Sequence, residues 1–384
     1  MVSLVPVSIT STQAYSQFEP KCTTPNKTVN YVGSPDTRGT FDLLWSCLLT
    51  IVACTWSLQY LNVPEQREDL DPGWKRHIKW SVRTMWPKLK WSFITVIAPE
   101  VTLGKAFGNQ LADRQVRRGW SQLAAEDGVP GSLLHASYAN MGGFWLEIVG
   151  QPENTIDLQE FYSSPQGQLP RHFLLSGQDI IQLRIKRIIP RLPSISREEI
   201  MERDRGSGES FALSTAGGQI LWITIQITAR RARGLTVSQL EIAVIAFSAC
   251  AIATYIANWN RPKQILRPVA IRIEIPVSSF DKKVTEIQAA LNEARSQRGR
   301  SLFDEIIPSA LRGNKELADI PDGYAGLGFL YMGIAGAVLF GGIHLAAWNF
   351  HFPTNIELIG WRVASLKDFR KHLGAFLIRR RPRV

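Results

Sequence analysis

Four ionisable side chains interrupt otherwise apolar stretches of the sequence: Asp42, Glu100, Glu241 and His344. An ionisable residue inside an apolar span is a functional candidate by default. Removal from water disfavours a charged carboxylate, so such an acid tends to stay protonated at neutral pH. A neutral carboxyl in a dry pocket can serve as a general acid. Trp45, Trp56, Trp91, Trp145, Trp222 and Trp348 supply aromatic faces that could stabilise a developing cation. Acid plus aromatics in an apolar chamber is what cation-driven cyclisation of an isoprenoid needs. Each residue also has a structural reading. Asp42 can cap a helix, Glu100 can be a first-turn acid after Pro99, and Glu241 can snorkel to a membrane surface. His344 can be a hydrogen-bonded core histidine, and tryptophans near span ends form interfacial belts.

The elements that would position these groups are apolar helices. The chain has 384 residues, 45% of them hydrophobic, with 44 Lys+Arg against 33 Asp+Glu and a net charge of +11. The apolar residues are bunched into charge-poor blocks separated by basic stretches. Thr40–Leu61, Val237–Asn258 and Tyr324–Trp348 are long enough to cross a hydrocarbon core of about 30 Å. Phe211–Ala229 and Trp91–Gly108 are weaker segments, the latter carrying Pro99, Glu100 and Lys105. The fold class expected is all-α, a polytopic integral membrane helical bundle of about five spans with basic extramembrane loops. A four-span arrangement is the alternative.

Seven regions follow. Residues 1–39 form a polar tail, 40–108 a first transmembrane hairpin with a basic loop, and 109–210 an extramembrane region. Residues 211–258 form a second hairpin, 259–323 a helical or loop region outside the membrane, 324–349 a last span and 350–384 a basic tail. Within 259–323, Val284, Ile287, Leu291 and Ala294 fall on one helical face. The seven Lys and Arg of residues 62–90 against three in residues 1–39 place the N-terminus outside, where Asn26 of Asn26-Lys27-Thr28 is a glycan acceptor. Gly333, Ala337 and Gly341 recur every four residues and let another helix approach closely, within the chain or between chains.

Four cysteines make no disulfide framework, and no Cys/His spacing fits zinc. The basic balance comes without a nucleic-acid-binding motif, so a lipid bilayer is the expected partner and nucleic acid is not. Phosphate-binding, serine-hydrolase and zinc-protease motifs are absent, as is an Asp-rich DDxxD cluster. Protonation of an alkene or epoxide is then the remaining trigger for a cyclase.

Several blocks carry a resemblance: RGTFDLLWSCLLTI at 38–51, LNVP at 61–64, WSFITVIAPEVTLGKA at 91–106 and LLHASYANMGGFWL at 133–146. GLTVSQLEIAVIAF at 234–247, YIANWNRP at 255–262 and LFGGIHLAAWNFHFPT at 339–354 complete the series. In this order they resemble a large group of fungal integral membrane proteins, some similar to the membrane-bound terpene cyclases of meroterpenoid clusters of the ascofuranone type. The resemblance implies cyclisation of a prenylated aromatic or its terminal epoxide, with no metal or redox cofactor; the membrane expected for the chain is that of the endoplasmic reticulum. It also implies that Asp42, Glu100, His135, Glu241 and His344 occupy the polar positions, with an acid protonating the isoprenoid substrate and His135 or His344 taking the final proton. Similar proteins often continue past the FPT block, whereas this chain ends in a basic segment. The competing expectation is a non-catalytic membrane scaffold or accessory protein of a biosynthetic pathway.

Overall fold

The computed structural model describes residues 39–64, 73–151, 172–204, 207–234, 237–297, 323–350, 352 and 354–365. Asn26 and the Arg379-Arg380-Arg381 tail lie outside the described residues. The chain divides into Met1–Ser46 and Cys47–Val384. The described part of the first unit is the opening of helix α1 (Thr40–Ser57), where Asp42 lies in the first turn and Leu43 N–H donates to the Gly39 carbonyl at 3.1 Å.

The second unit is helical for the most part. After the rest of α1 come α2 (Gly73–Ile97), α3 (Pro99–Asp127) and α4 (Leu133–Asn140). Strands β1 (Phe144–Gln151) and β2 (His172–Leu175) precede α5 (Gly177–Ile185), α6 (Arg197–Arg203), α7 (Ser207–Ala232) and α8 (Gln239–Ala257). Strand β3 (Val269–Pro276), α9 (Phe280–Gln297), α10 (Gly323–Leu345) and α11 (355–365) complete it.

The three-stranded sheet corrects the all-α expectation. Its order is β2-β1-β3, with β1 antiparallel to β2 and parallel to β3, and Phe144 paired with both Leu175 and Val269. Alternation drives these strands: Phe144, Leu146 and Ile148 are buried, while Glu147 on the opposite face takes a 2.7 Å hydrogen bond from Nε of its register partner Arg272. A parallel pair needs a crossover. Here the crossover contains the α7–α8 hairpin, so the segments on either side of that hairpin are tied into one body. The described residues of 109–204 and 265–291 therefore share one core. Trp120, Tyr138, Phe144, Leu175, Ile180 and Ile287 belong to their common core. Trp120 stacks on Phe144 at 6.2 Å between centroids, and Tyr138 meets Phe144 edge-on at 5.1 Å. Val284, Ile287, Leu291 and Ala294 are buried, as the helical stripe in α9 predicts.

The helical layer is built from α8, α10 and the first half of α3, with α1 and α7 against α8 through Cys54, Ala216 and Ala251. Residues 91–108 are not one spanning helix. Pro99 has no N–H to continue α2, so the chain breaks at Ala98 (φ −147°, ψ 74°) and restarts with Pro99 in the first turn of α3. Gly104 lets α3 and α10 meet: a Cβ there would stand 2.6 Å from the Phe329 carbonyl oxygen and 3.2 Å from Gly333 N. The small-residue stripe of α10 thus packs inside the chain, Ala337 and Gly341 being buried as well. Among the described residues two helices are long and apolar enough to cross a membrane, Gln239–Ala257 at mean hydropathy 2.0 and Ala325–Leu345 at 1.8.

Candidate functional site

The sequence-predicted residues occupy different places. Glu241 is the third residue of α8 and closes a capping box: Ser238 N–H donates to its carboxylate at 2.8 Å, and its own N–H donates to Ser238 Oγ at 3.2 Å. Such a box satisfies two helix-end N–H groups reciprocally. Asp42 is a first-turn acid of α1 and exposed. Glu100 is half-buried in the first turn of α3, where its backbone and Cβ lie 3.2 Å from where a side chain on Gly336 would begin. At the C-terminal end of α10, His344 Nδ1–H donates to the Phe340 carbonyl at 2.7 Å, and the ring tilts against Trp361 at 5.1 Å.

His135 is in the other layer, buried in α4. Its Nε2–H donates to the Ile195 carbonyl at 3.0 Å, which leaves Nδ1 to accept from Ser132 Oγ–H at 2.6 Å. Both ring nitrogens are therefore engaged. Burial pushes its pKa below the ordinary 6.5, with the Ile195 carbonyl opposing.

Three of the six tryptophan rings lie under the protein's own cations. Lys105 Nζ stands 3.8 Å over the Trp91 ring centroid, Lys88 Nζ 4.6 Å over Trp56, and the Arg362 guanidinium 4.8 Å over Trp348. Trp145 lies half-buried on the outward face of β1, and Trp222 and Trp45 are exposed. A largely apolar groove of about 380 Å³ runs along α2, lined by Trp74, Ile78, Ser81, Val82, Met85 and Leu89, and none of the five candidates lines it.

The densest polar constellation was not singled out from the sequence. Asp113, 2% exposed on α3, accepts from Ser137 Oγ at 2.6 Å, Asn140 Nδ2 at 2.8 Å and Arg261 Nη1 at 3.1 Å. Arg261 Nη2 donates to Asn62 Oδ1 at 3.3 Å. Four separate segments thus converge on one buried ion pair whose side chains are 5% and 4% exposed. Asp113 reaches it because Asn109, Asp113, Val116, Trp120 and Ala124 form the buried face of α3. That spacing is the signal the sequence carries for Asp113. With its carboxylate saturated by donors, Asp113 has the chemistry of a structural node, one that joins the two layers.

A second node fixes the end of α3. Arg184 grips Asp127 bidentately at 2.9 and 2.6 Å, and Leu192 N–H donates to it at 2.8 Å. The Arg184 hydrogen bond, aided by the Leu192 N–H, outweighs burial and holds the Asp127 carboxyl down to about 2. Among the described residues no group of three His, Cys, Asp or Glu is placed to hold a metal ion.

Residues 12–285 match a family described as a family of unknown function (DUF8562). The chain belongs to that family. Asn62, Asp113, Ser137, Asn140 and Arg261 all lie inside the matched stretch. No curated protein and no solved structure matches the chain.

Proposed function

We propose that this member of the family is a non-catalytic membrane scaffold: a helical layer embedded in the bilayer carries an α/β layer on one membrane face. The observation that carries the reading is the parallel pairing of β1 with β3 across the α7–α8 hairpin. A hairpin that crosses and returns delivers both flanking segments to the same side. In this arrangement α1, α7, α8 and α10 cross, giving four spans, while α2 runs along the near side and its last turn and the α2–α3 break dip toward Gly336 of α10. Arg114, Arg117 and Arg118 of α3, with Arg267 and Lys282, are exposed on the α/β layer and present positive charge to acidic partners or lipid headgroups.

Two geometric facts weigh toward a scaffold over a terpene cyclase. Glu241 serves in a cap, and the faces of Trp56, Trp91 and Trp348 lie under Lys88, Lys105 and Arg362. The test uses microsomes from a yeast host expressing the full chain, supplied with a farnesylated phenol and its terminal epoxide. The scaffold reading expects the protein to resist alkaline carbonate extraction and to form no product isomeric with either substrate. An isomeric product that disappears with Glu100→Gln would overturn it in favour of the cyclase.

A further inference from the structure

Helix α2 has two apolar faces, and the protein covers one of them. On the covered face Trp91 and Thr95 are buried. Thr95 shares a 2.7 Å hydrogen bond with Thr102 of α3, and Lys105 of α3 lies over Trp91. The other face carries Trp74, Ile78, Val82, Met85, Leu89 and Phe93, each 47% to 70% exposed. At 3.6 residues per turn these six span an arc of about 100°, the width of a complete amphipathic stripe. A stripe of this size open to water would carry a large hydrophobic cost.

We infer that α2 lies in the plane of an anionic membrane surface, with this stripe sunk into the headgroup–acyl boundary. Charge selects the occupant. The sequence of α2 contains Lys75, Arg76, Lys79, Arg83, Lys88 and Lys90 and no acidic residue. Two copies of such a helix would repel each other, whereas phosphate headgroups would neutralise it. Tryptophan and leucine on one side with lysine and arginine in the same helix is the composition of a membrane-surface helix. Position agrees as well. α2 crosses the C-terminal end of α1, with Lys88 over Trp56 and Gln59 Nε2 donating to Thr95 Oγ1 at 3.1 Å. On the membrane reading above, on which this inference rests for its bilayer, that end of α1 is at headgroup level.

The test places single reporters on the full chain reconstituted into vesicles of mixed phosphatidylcholine and phosphatidylserine. Ile78→Cys, Met85→Cys and Phe93→Cys are labelled with an environment-sensitive fluorophore in a Cys22→Ser background, Cys47, Cys54 and Cys250 being buried. Ile252→Cys on α8 and Leu339→Cys on α10 serve as span controls. Lipids brominated near the headgroup should quench 78, 85 and 93 to within about 20% of one another, and deep bromines should quench them at least ~2-fold less, as for a helix sunk ~5–10 Å. The two controls should respond to deep bromines. A steady gradient of depth from 78 to 93 would make α2 transmembrane and overturn the inference. Controls quenched with α2 silent would also overturn it, leaving the membrane reading intact. Self-quenching between labelled copies without lipid quenching would assign the stripe to a second copy and overturn it. Silence at all five sites would remove both readings.

Discussion

Asp113 and Arg261 face each other where almost no water reaches, so each charge is compensated by the other. Removing one partner of a buried pair leaves an uncompensated ion and costs about 3–5 kcal/mol. Asp113→Ala should therefore lower stability by roughly that amount in denaturant titrations of the detergent-solubilised protein. Asp113→Leu combined with Arg261→Met should recover much of the loss, because two apolar groups need no partner. A double variant destabilised by the sum of the two single losses would deny that the pair is a unit. His135 gives a pH-dependent prediction. Its folded pKa lies below the ordinary 6.5, so its contribution is complete above pH 6.5. It is lost as pH falls through the folded value, since the unfolded chain then binds the extra proton. The wild-type thermal midpoint should drop between pH 7.5 and 5.5 by more than that of His135→Gln; parallel curves would mean that His135 is not held neutral.

At the scale of elements, the tightest junction is α3 against α10. Gly104→Leu places a branched side chain where even a Cβ would meet the Phe329 carbonyl at 2.6 Å. Forcing those helices apart should cost about 1–3 kcal/mol or more, while Gly217→Ala, with open space around its Cβ, should melt like wild type. A neutral Gly104→Leu would mean that the two helices do not touch there. The helices themselves were legible in the sequence. Apolar blocks gave α1, α7, α8 and α10 to within a few residues, and the α9 stripe, legible as either a packing or a membrane-surface face, is buried in the core. The strands are less visible because they are short and lie outside the apolar blocks, although Val269, Ile271, Ile273 and Ile275 alternate with Ala270, Arg272 and Glu274. Asp113 escaped for a related reason. It lies outside any apolar span, and its partners at 137, 140 and 261, with Asn62 bonded to Arg261 in turn, become neighbours only when the chain folds. Glu241 was visible as an acid near a helix start, but the reciprocal Ser238 bonds that define its role need coordinates.

For the whole molecule, the decisive feature is that one sheet contains strands from both sides of a helical hairpin. The pairing runs from Phe144–Val269 to Gln151–Pro276, so it cannot form with the two segments on opposite membrane faces. It follows that the α/β layer is a single body; on the membrane arrangement proposed above, the turn at 230–234 lies across the bilayer from it. The measurement that tests this most directly is labelling with a membrane-impermeant maleimide in intact microsomes. It compares Arg118→Cys on α3, Lys282→Cys on α9 and Arg233→Cys in the turn, all at exposed positions. The account predicts that Arg118→Cys and Lys282→Cys share one reactivity before permeabilisation, and that Arg233→Cys shows the opposite one. Opposite reactivity of the first two, or identical reactivity of all three, would contradict it.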